Sequence, residues 1–443
     1  MQLSISNKDI LKLAAPISIS LLIPQISFLT DTVFLGRLGE QELGVNGMAG
    51  IFYLILSSIG YGLANGIQVQ MSRRAGEGNY KGLAQTFTNG MMLCLMFGMG
   101  LMVISLYLSP IIFGNALHDT TNKHLTIDFL NMRMWGLPFL ILAQLANSFY
   151  IATNQSKYLV HGAVASTAVN IALDYGLIFG KLGLPEMGLI GAAAASAIAE
   201  VVFCTVMYGI FYFKKMQHKF PILSSSRFDR VLAKRSFIIA SPLIVQFLFG
   251  IGGWQVFFIY VEHLGTRELA VSQILRSVFG VAGIGLWALA SSCNTIVSNV
   301  IGQSKQRLVI PAILRCIKLA VIYAAVLGAI LMIFPDQFLS LYRDDADLVQ
   351  FAIPSLRVVA VSSIIMAIAT VLFNGVMGTG NTRVNLMIEV FCVSCYVTYC
   401  YFIIEQMRLP LHWAWASEFV YWGMLVATST LYLRSGKWKN KSV

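Results

Sequence analysis

Five carboxylates stand where carboxylates are costly. Asp31, Asp174, Glu200, Glu389 and Glu418 each lie within an apolar stretch long enough to cross a bilayer. On insertion scales an acidic side chain at bilayer depth costs about 2.5–3.5 kcal/mol, so an acid that persists there is paired or functional. Two such acids side by side have two kinds of chemistry open to them. With amide and hydroxyl oxygens nearby, they offer oxygen ligands to a hard cation such as sodium. Otherwise they hold one proton between them, because like charge and desolvation both disfavour double ionisation. A network of hydrogen bonds between packed helices is the plainer alternative.

The surrounding chain dictates which acids can meet. Of its 443 residues, 57% are hydrophobic and 12% charged, about half the ~25% charge of a soluble domain. Apolar runs of about 20 residues recur from end to end, the length a membrane helix needs. Alternating segments of about ten residues, the mark of a membrane barrel, do not occur. The spacing predicts twelve helices, near 10–35, 45–70, 86–113, 127–153, 158–181, 188–213, 236–261, 269–299, 308–334, 348–378, 384–406 and 411–434. The first is too long for a signal segment, carries Pro16, Pro24 and Asp31, and ends without a small-residue cleavage site, so it reads as a retained helix.

With the N-terminus placed inside, 22 of the 31 Lys and Arg residues fall on the cytoplasmic side and 8 outside, with Arg276 read as the one intramembrane cation. This bias obeys the positive-inside rule and puts both termini in the cytoplasm. Asp336, Asp344, Asp345 and Asp347 cluster in an outer loop. The net charge of +11 is therefore a topology signal, and no nucleic-acid partner is expected. Seven cysteines are scattered; Cys392 and Cys395 have redox or zinc spacing but lie mid-helix without a second pair.

On these helices Asp31 lies four residues from the outer end of the first, Asp174 seven from that of the fifth, and Ser196 eight from the outer start of the sixth. At 1.5 Å per residue the three share a depth to within about one turn. Asn170 lies one turn below Asp174 on the same face. Two carboxylates, an amide and a hydroxyl can converge. Glu200 either faces a cleft or pairs with a polar neighbour. Glu389, near a cytoplasmic helix end, reads as structural and able to snorkel. Glu418 lies among Trp413, Trp415 and Trp422; it reads as structural, with contact to a cationic substrate as the functional alternative.

The chain repeats itself at an offset of 226 residues. Leu38-Gly39 and Glu42-Leu43 recur as Leu264-Gly265 and Glu268-Leu269; Gln68, Ser72 and Gly76 recur as Asn294, Ser298 and Gly302; 152–157 recurs as 378–383. Six helices per repeat is an even number, so the two halves are parallel rather than inverted. The expected fold is all-α: twelve transmembrane helices in two six-helix lobes, 1–213 and 236–443, around a central cleft, joined by a cytoplasmic linker at 214–235 that contains Ser224-Ser225-Ser226. At the same offset Asp31 falls on Phe257, Asn170 on Tyr396 and Asp174 on Cys400, so the acidic cluster is confined to the first half. In the second, Trp254, Phe257, Phe258 and Trp287 read as core or lipid-facing aromatics, with a drug-contacting wall as the alternative.

"TDTVFLGRLG" from Thr30, "QMSRRAGEGN" from Gln70, "GLIGAAAASAIAE" from Gly188 and "GTGNTR" at 378–383 together resemble the multidrug and toxic compound extrusion (MATE) transporters, over essentially the whole chain. The likeness implies an ion-coupled exporter of organic cations and amphipathic drugs, and not an enzyme. It is similar in more detail to the DinF-like branch, which implies a cation site at Asp31, Asn170, Asp174 and Ser196, with serine where threonine is usual. Sodium and a proton both remain open as the coupling ion; no cofactor is implied. Pro16 matches the family position in the first helix and is expected to act as a hinge, while Pro24 is left neutral. The protein is expected in the cell inner (cytoplasmic) membrane, working as a monomer. A flippase for lipid-linked or polysaccharide precursors, from the same superfamily, is the alternative; it should line its cleft with several cations. A membrane enzyme lacks support, since no nucleophile elbow, phosphate loop or zinc-protease pattern occurs.

Overall fold

The computed structural model describes residues 3–117, 119–221, 228–340 and 346–439, and every regular element among them is helical. Ser224–Ser226 of the linker and Asp344 and Asp345 of the acidic loop lie outside the described residues. The helices are α1 (Asn7–Leu38), α2 (Glu40–Gly76), α3 (Tyr80–Ala116), α4 (Thr120–Arg133), α5 (Leu137–Ala152), α6 (Lys157–Phe179), α7 (Gly188–Phe213) and α8 (Arg230–Leu264). They are followed by α9 (Thr266–Gly302), α10 (Val309–Ile333), α11 (Pro335–Ser340), α12 (Ala346–Gly378), α13 (Thr382–Cys400), α14 (Leu411–Trp415) and α15 (Ser417–Arg434).

Among the described residues, eleven helical segments are long and apolar enough to cross a membrane. The twelfth expected span is broken into α14 and α15, the latter 18 residues long with Glu418 in its first turn and Arg434 in its last. Several helices outrun the expectation: α2 and α9 each have 37 residues, about 55 Å at 1.5 Å per residue, well beyond the ~30 Å hydrocarbon core. Large apolar side chains such as Met96, Ile104 and Ile111 of α3 are exposed, as contact with lipid requires.

The 226-residue offset reappears in the backbone. Left-handed residues recur as Gly78 and Ser304, Asn154 and Gly380, and Leu182 and Arg408. α2 and α9 begin and end at repeat-related residues. The repeated Leu-Gly…Glu-Leu motif has a local cause. Gly39 and Gly265 are N-caps, and Glu42 and Glu268 fold back so closely that a Cβ on either glycine would collide with the carboxylate. This is the position from which a glutamate closes a helix start.

Two compact units are present: Met1–Ser18 with Val245–Val443, and Ile19–Ile244. Their divisions fall within α1 and α8, two residues after Pro16 and after its repeat mate Pro242. In the unit Ile19–Ile244, small residues let helices close on one another: Cβ atoms at Gly66 and Gly191 would lie 2.5 Å from Ala240 Cα and 2.6 Å from Leu177 O. In the other unit Gly378 does the same, its missing Cβ 2.6 Å from Asn294 O, and Ser298 Oγ donates to Gly378 O at 2.7 Å.

Candidate functional site

All four residues of the expected cation site lie in the unit Ile19–Ile244, on α1, α6 and α7. The Gly- and Ala-rich start of α7 packs flat against α6, where Leu177, Ala194 and Ala195 form a small core with Met132, Leu173 and Leu184. This contact fixes Asp174 fully inside the unit at 0% exposure. The Asp31 carboxyl group from α1 lies against that of Asp174. Apart from each other, Asp31 Oδ1 and both Asp174 oxygens meet no hydrogen-bond donor among the described residues. Asn170 is buried one turn away; its Oδ1 accepts from Ser27 Oγ, leaving Nδ2 unpaired. Ser196 is half-buried on α7, and no hydrogen bond joins it to the two acids among the described residues. The structure thus brings Asp31, Asp174 and Asn170 together, adds Ser27, and leaves Ser196 unbonded to them.

Glu200 takes the second of its two expected roles, and its partner was not foreseen. Arg133 Nη2 donates to Glu200 Oε1 at 2.7 Å, Tyr53 OH donates to Glu200 Oε2 at 2.6 Å, and the guanidinium stacks 4.0 Å above the Tyr53 ring. Arg276 is therefore not the one cation within the spans; Arg133 is another. Arg133 lies six residues inside the expected helix 127–153, and the sequence reading does not single it out. The span instead begins at Thr120 and breaks at a 3-10 turn, Met134–Gly136. Pro138 opens the next helix, α5, where it cannot supply a hydrogen bond to the preceding turn. Gly136 leaves room for Glu200, whose carboxylate a Cβ there would strike. Arg133 ends α4, where a cation is favoured by the exposed carbonyls of a helix terminus. The available signal was the Gly-Leu-Pro break within an otherwise continuous span.

Arg133 also acts electrostatically on Asp31 and Asp174. The Arg133–Glu200 pair thus lies within electrostatic reach of the two aspartates, which keep unused oxygen lone pairs. Such a site can accept a proton or a monovalent cation at the aspartates. No cluster of three or more His, Cys, Asp or Glu able to hold a metal occurs among the described residues.

The acids of the other unit have different surroundings. Glu389 is 3% exposed and accepts from Tyr421 OH at 2.8 Å, so it does not snorkel. Glu418 is equally buried and accepts from Trp422 Nε1 at 2.7 Å. Around them Phe257 packs on Trp415 and Tyr396, and Trp254 on Phe279, while Trp287 is exposed.

Comparison with known proteins places this geometry in a family. The MatE family model matches residues 16–176 and 242–402, two stretches separated by the same 226 residues. The chain is 26% identical to a probable multidrug resistance protein NorM of Synechocystis over 341 residues, 76% of this chain and 73% of that protein. It is 21% identical to the Thermotoga maritima protein of the same name, over 99% of this chain and 94% of that one. Its fold matches the outward-facing structure of a multidrug resistance MATE transporter of the MOP superfamily with a TM-score of 0.89 at 18% identity, covering 98% of this chain and 97% of that one. With the family model matched in both halves of the chain, this protein belongs to the MATE family.

Proposed function

We propose that the chain is a secondary active antiporter that exports organic cations and amphipathic drugs, by alternating access, in exchange for an inward-moving sodium ion or proton. The observation that carries this reading is the carboxyl pair of half-buried Asp31 and fully buried Asp174, with three buried oxygens free of other donors. An ion arriving there relieves the repulsion between the acids and favours whichever conformer binds it more tightly; a ligand shifts a conformational equilibrium only by such differential affinity. Asn170 and Ser196 complete the oxygen set, and Pro16 is the hinge through which α1 answers the ion. The multidrug resistance names of the NorM relatives support the substrate class. Export would run across the bacterial inner membrane, with both termini cytoplasmic and a monomer as the working unit. A flippase for phosphorylated lipids needs several free cations in its path, whereas Arg133 has its charge balanced by Glu200 and Arg276 lies over the Phe258 ring. Glu418, bonded to Trp422, is left to the fold.

The test is accumulation of a fluorescent organic cation in inverted vesicles under an imposed sodium gradient and, separately, an imposed proton gradient. Either gradient should drive uptake in the wild type, and neither should in Asp31→Asn. Uptake driven by neither gradient in the wild type, or undiminished in Asp31→Asn, would overturn the reading.

A further inference from the structure

The Arg133 guanidinium is only partly used. One nitrogen is held by Glu200, and one face covers Tyr53. The other terminal nitrogen, Nη1, is shut off from solvent and has no acceptor among the described residues. On the far side of the cluster the situation is reversed: Asp31 Oδ1 and both Asp174 oxygens are acceptors short of donors. The charge of Arg133 already acts on both aspartates. Glu200 does not take the spare N–H: Arg133 reaches it through Nη2 alone, and its second oxygen accepts from Tyr53 OH at 2.6 Å.

We propose that Arg133 is a specificity-determining residue of the ion site: a tethered cation that competes with sodium for the Asp31 and Asp174 oxygens and is held back by Glu200. The proposal rests on the reading that these aspartates receive the coupling ion. Its physical basis is that sodium needs several oxygen ligands at once, while a planar guanidinium forks onto the same carboxylate lone pairs and carries the same charge. A fixed positive charge within about 10 Å in a medium of effective dielectric ~20 changes the affinity for a second cation by about tenfold or more. Glu200 and Tyr53 set how far the guanidinium leans away. Removing the guanidinium should therefore strengthen sodium binding. Removing the charge of Glu200 should release Arg133 toward the aspartates and weaken it. Arg133 acts here through its charge and hydrogen bonds, with no bond made or broken.

The experiment measures the sodium concentration that half-saturates efflux of a fluorescent organic cation from proteoliposomes at one fixed pH. Arg133→Gln should lower that concentration at least about tenfold. Glu200→Gln, which keeps the side-chain shape and its bond to Tyr53, should raise it. Arg133→Lys should stay near the wild type, because the charge is restored. The double variant Arg133→Gln, Glu200→Gln has the wild-type net charge without a guanidinium. Sodium affinity above the wild type in the double variant supports a tethered competitor; affinity equal to the wild type reduces the effect to net charge and overturns the proposal. Shifts of the two single variants in the same direction, or no shift in either, also overturn it. If Arg133→Gln fails to fold, Tyr53→Leu decides: it frees the guanidinium without changing the net charge, so it should raise the half-saturating sodium concentration, and no rise overturns the proposal. Asp174→Asn is the control for the premise: sodium-dependent efflux that survives in it refutes the ion-site reading, whatever the Arg133 variants do.

Discussion

The two halves of this chain share a scaffold and differ in what they place on it. Three left-handed turns recur at the repeat offset, as does the proline just before each division between units. Yet Ser27, Asp31, Tyr53, Arg133, Asn170 and Asp174 correspond to Gly253, Phe257, Phe279, Val359, Tyr396 and Cys400. Glu200 on α7 corresponds in the same way to Val426, so every member of the charged cluster has an apolar or weakly polar mate. Where α1 and α6 bring carboxyl groups together, α8 and α13 bring Phe257 against Tyr396 with ring centroids 6.1 Å apart. The second half keeps its own buried acids elsewhere, each on a neutral donor from an aromatic side chain, Tyr421 for Glu389 and Trp422 for Glu418. The lesson concerns groups rather than folds. One helical frame accepts either an ionic cluster or an aromatic one, provided that each buried polar group brings its partners with it.

The comparison is most sharply broken at Asp174 and Cys400. Asp174→Asn should reduce ion-driven efflux to background, while Cys400→Ser should leave it close to wild type; comparable losses in both would show that ion coupling is not confined to the first half. A smaller asymmetry is expected at the prolines. Pro16→Ala allows the missing backbone hydrogen bond of α1 to form. It should preserve ion binding yet weaken its link to transport, whereas Pro242→Ala, in the half without the acidic pair, should impair coupling less. A spin label on α1 reports the difference. If the helix position answers sodium or pH equally in wild type and in the Asp31→Asn, Pro16→Ala double variant, the hinge reading fails.

Packing offers a third comparison. Gly378 has no room for a Cβ, whereas its repeat mate Ala152 already carries one. Gly378→Ala should therefore cost about 1–3 kcal/mol through overpacking against Asn294. Ala152→Gly should cost only about 0.5–1 kcal/mol, the usual helix penalty of glycine. Thermal unfolding in detergent would rank them, and the reverse order would mean that the close approach at Gly378 is relieved cheaply. The mildest perturbation tests the parallel repeat itself. Cysteines at the exposed turns Leu182 and Arg408 should leave transport intact and be labelled by an impermeant reagent from the same side of the membrane, the outside. Labelling from opposite sides would make the repeat inverted.

Spans, repeat and buried acids were legible in the sequence because each depends on a local or periodic property. Twenty apolar residues must be helical in a bilayer whatever surrounds them, and a second copy of a scaffold betrays itself by register. Depth was readable too, since rise per residue is constant, and it put Asp31, Asp174 and Ser196 at one level with Asn170 a turn below; it could not tell that Ser196 would make no hydrogen bond to the acids. Partner choice was not readable. Ser27 reaches Asn170 across 143 positions, Tyr53 reaches Glu200 across 147, and Arg133 reaches Glu200 across 67. Hydropathy adds up along a helix and carries no record of the rotation that turns a side chain toward one neighbour rather than another. The 3-10 turn at Met134–Gly136 sets that rotation for Arg133, and the close approach of α6 and α7 sets it for Asp174 and Glu200. The same limit explains Glu389: its position suggested a side chain reaching for the interface, but the packed helices put Tyr421 OH against it. Composition and periodicity determined that acids would be buried in the membrane; only the tertiary structure decided which of them would face another acid, which a guanidinium and which an aromatic ring.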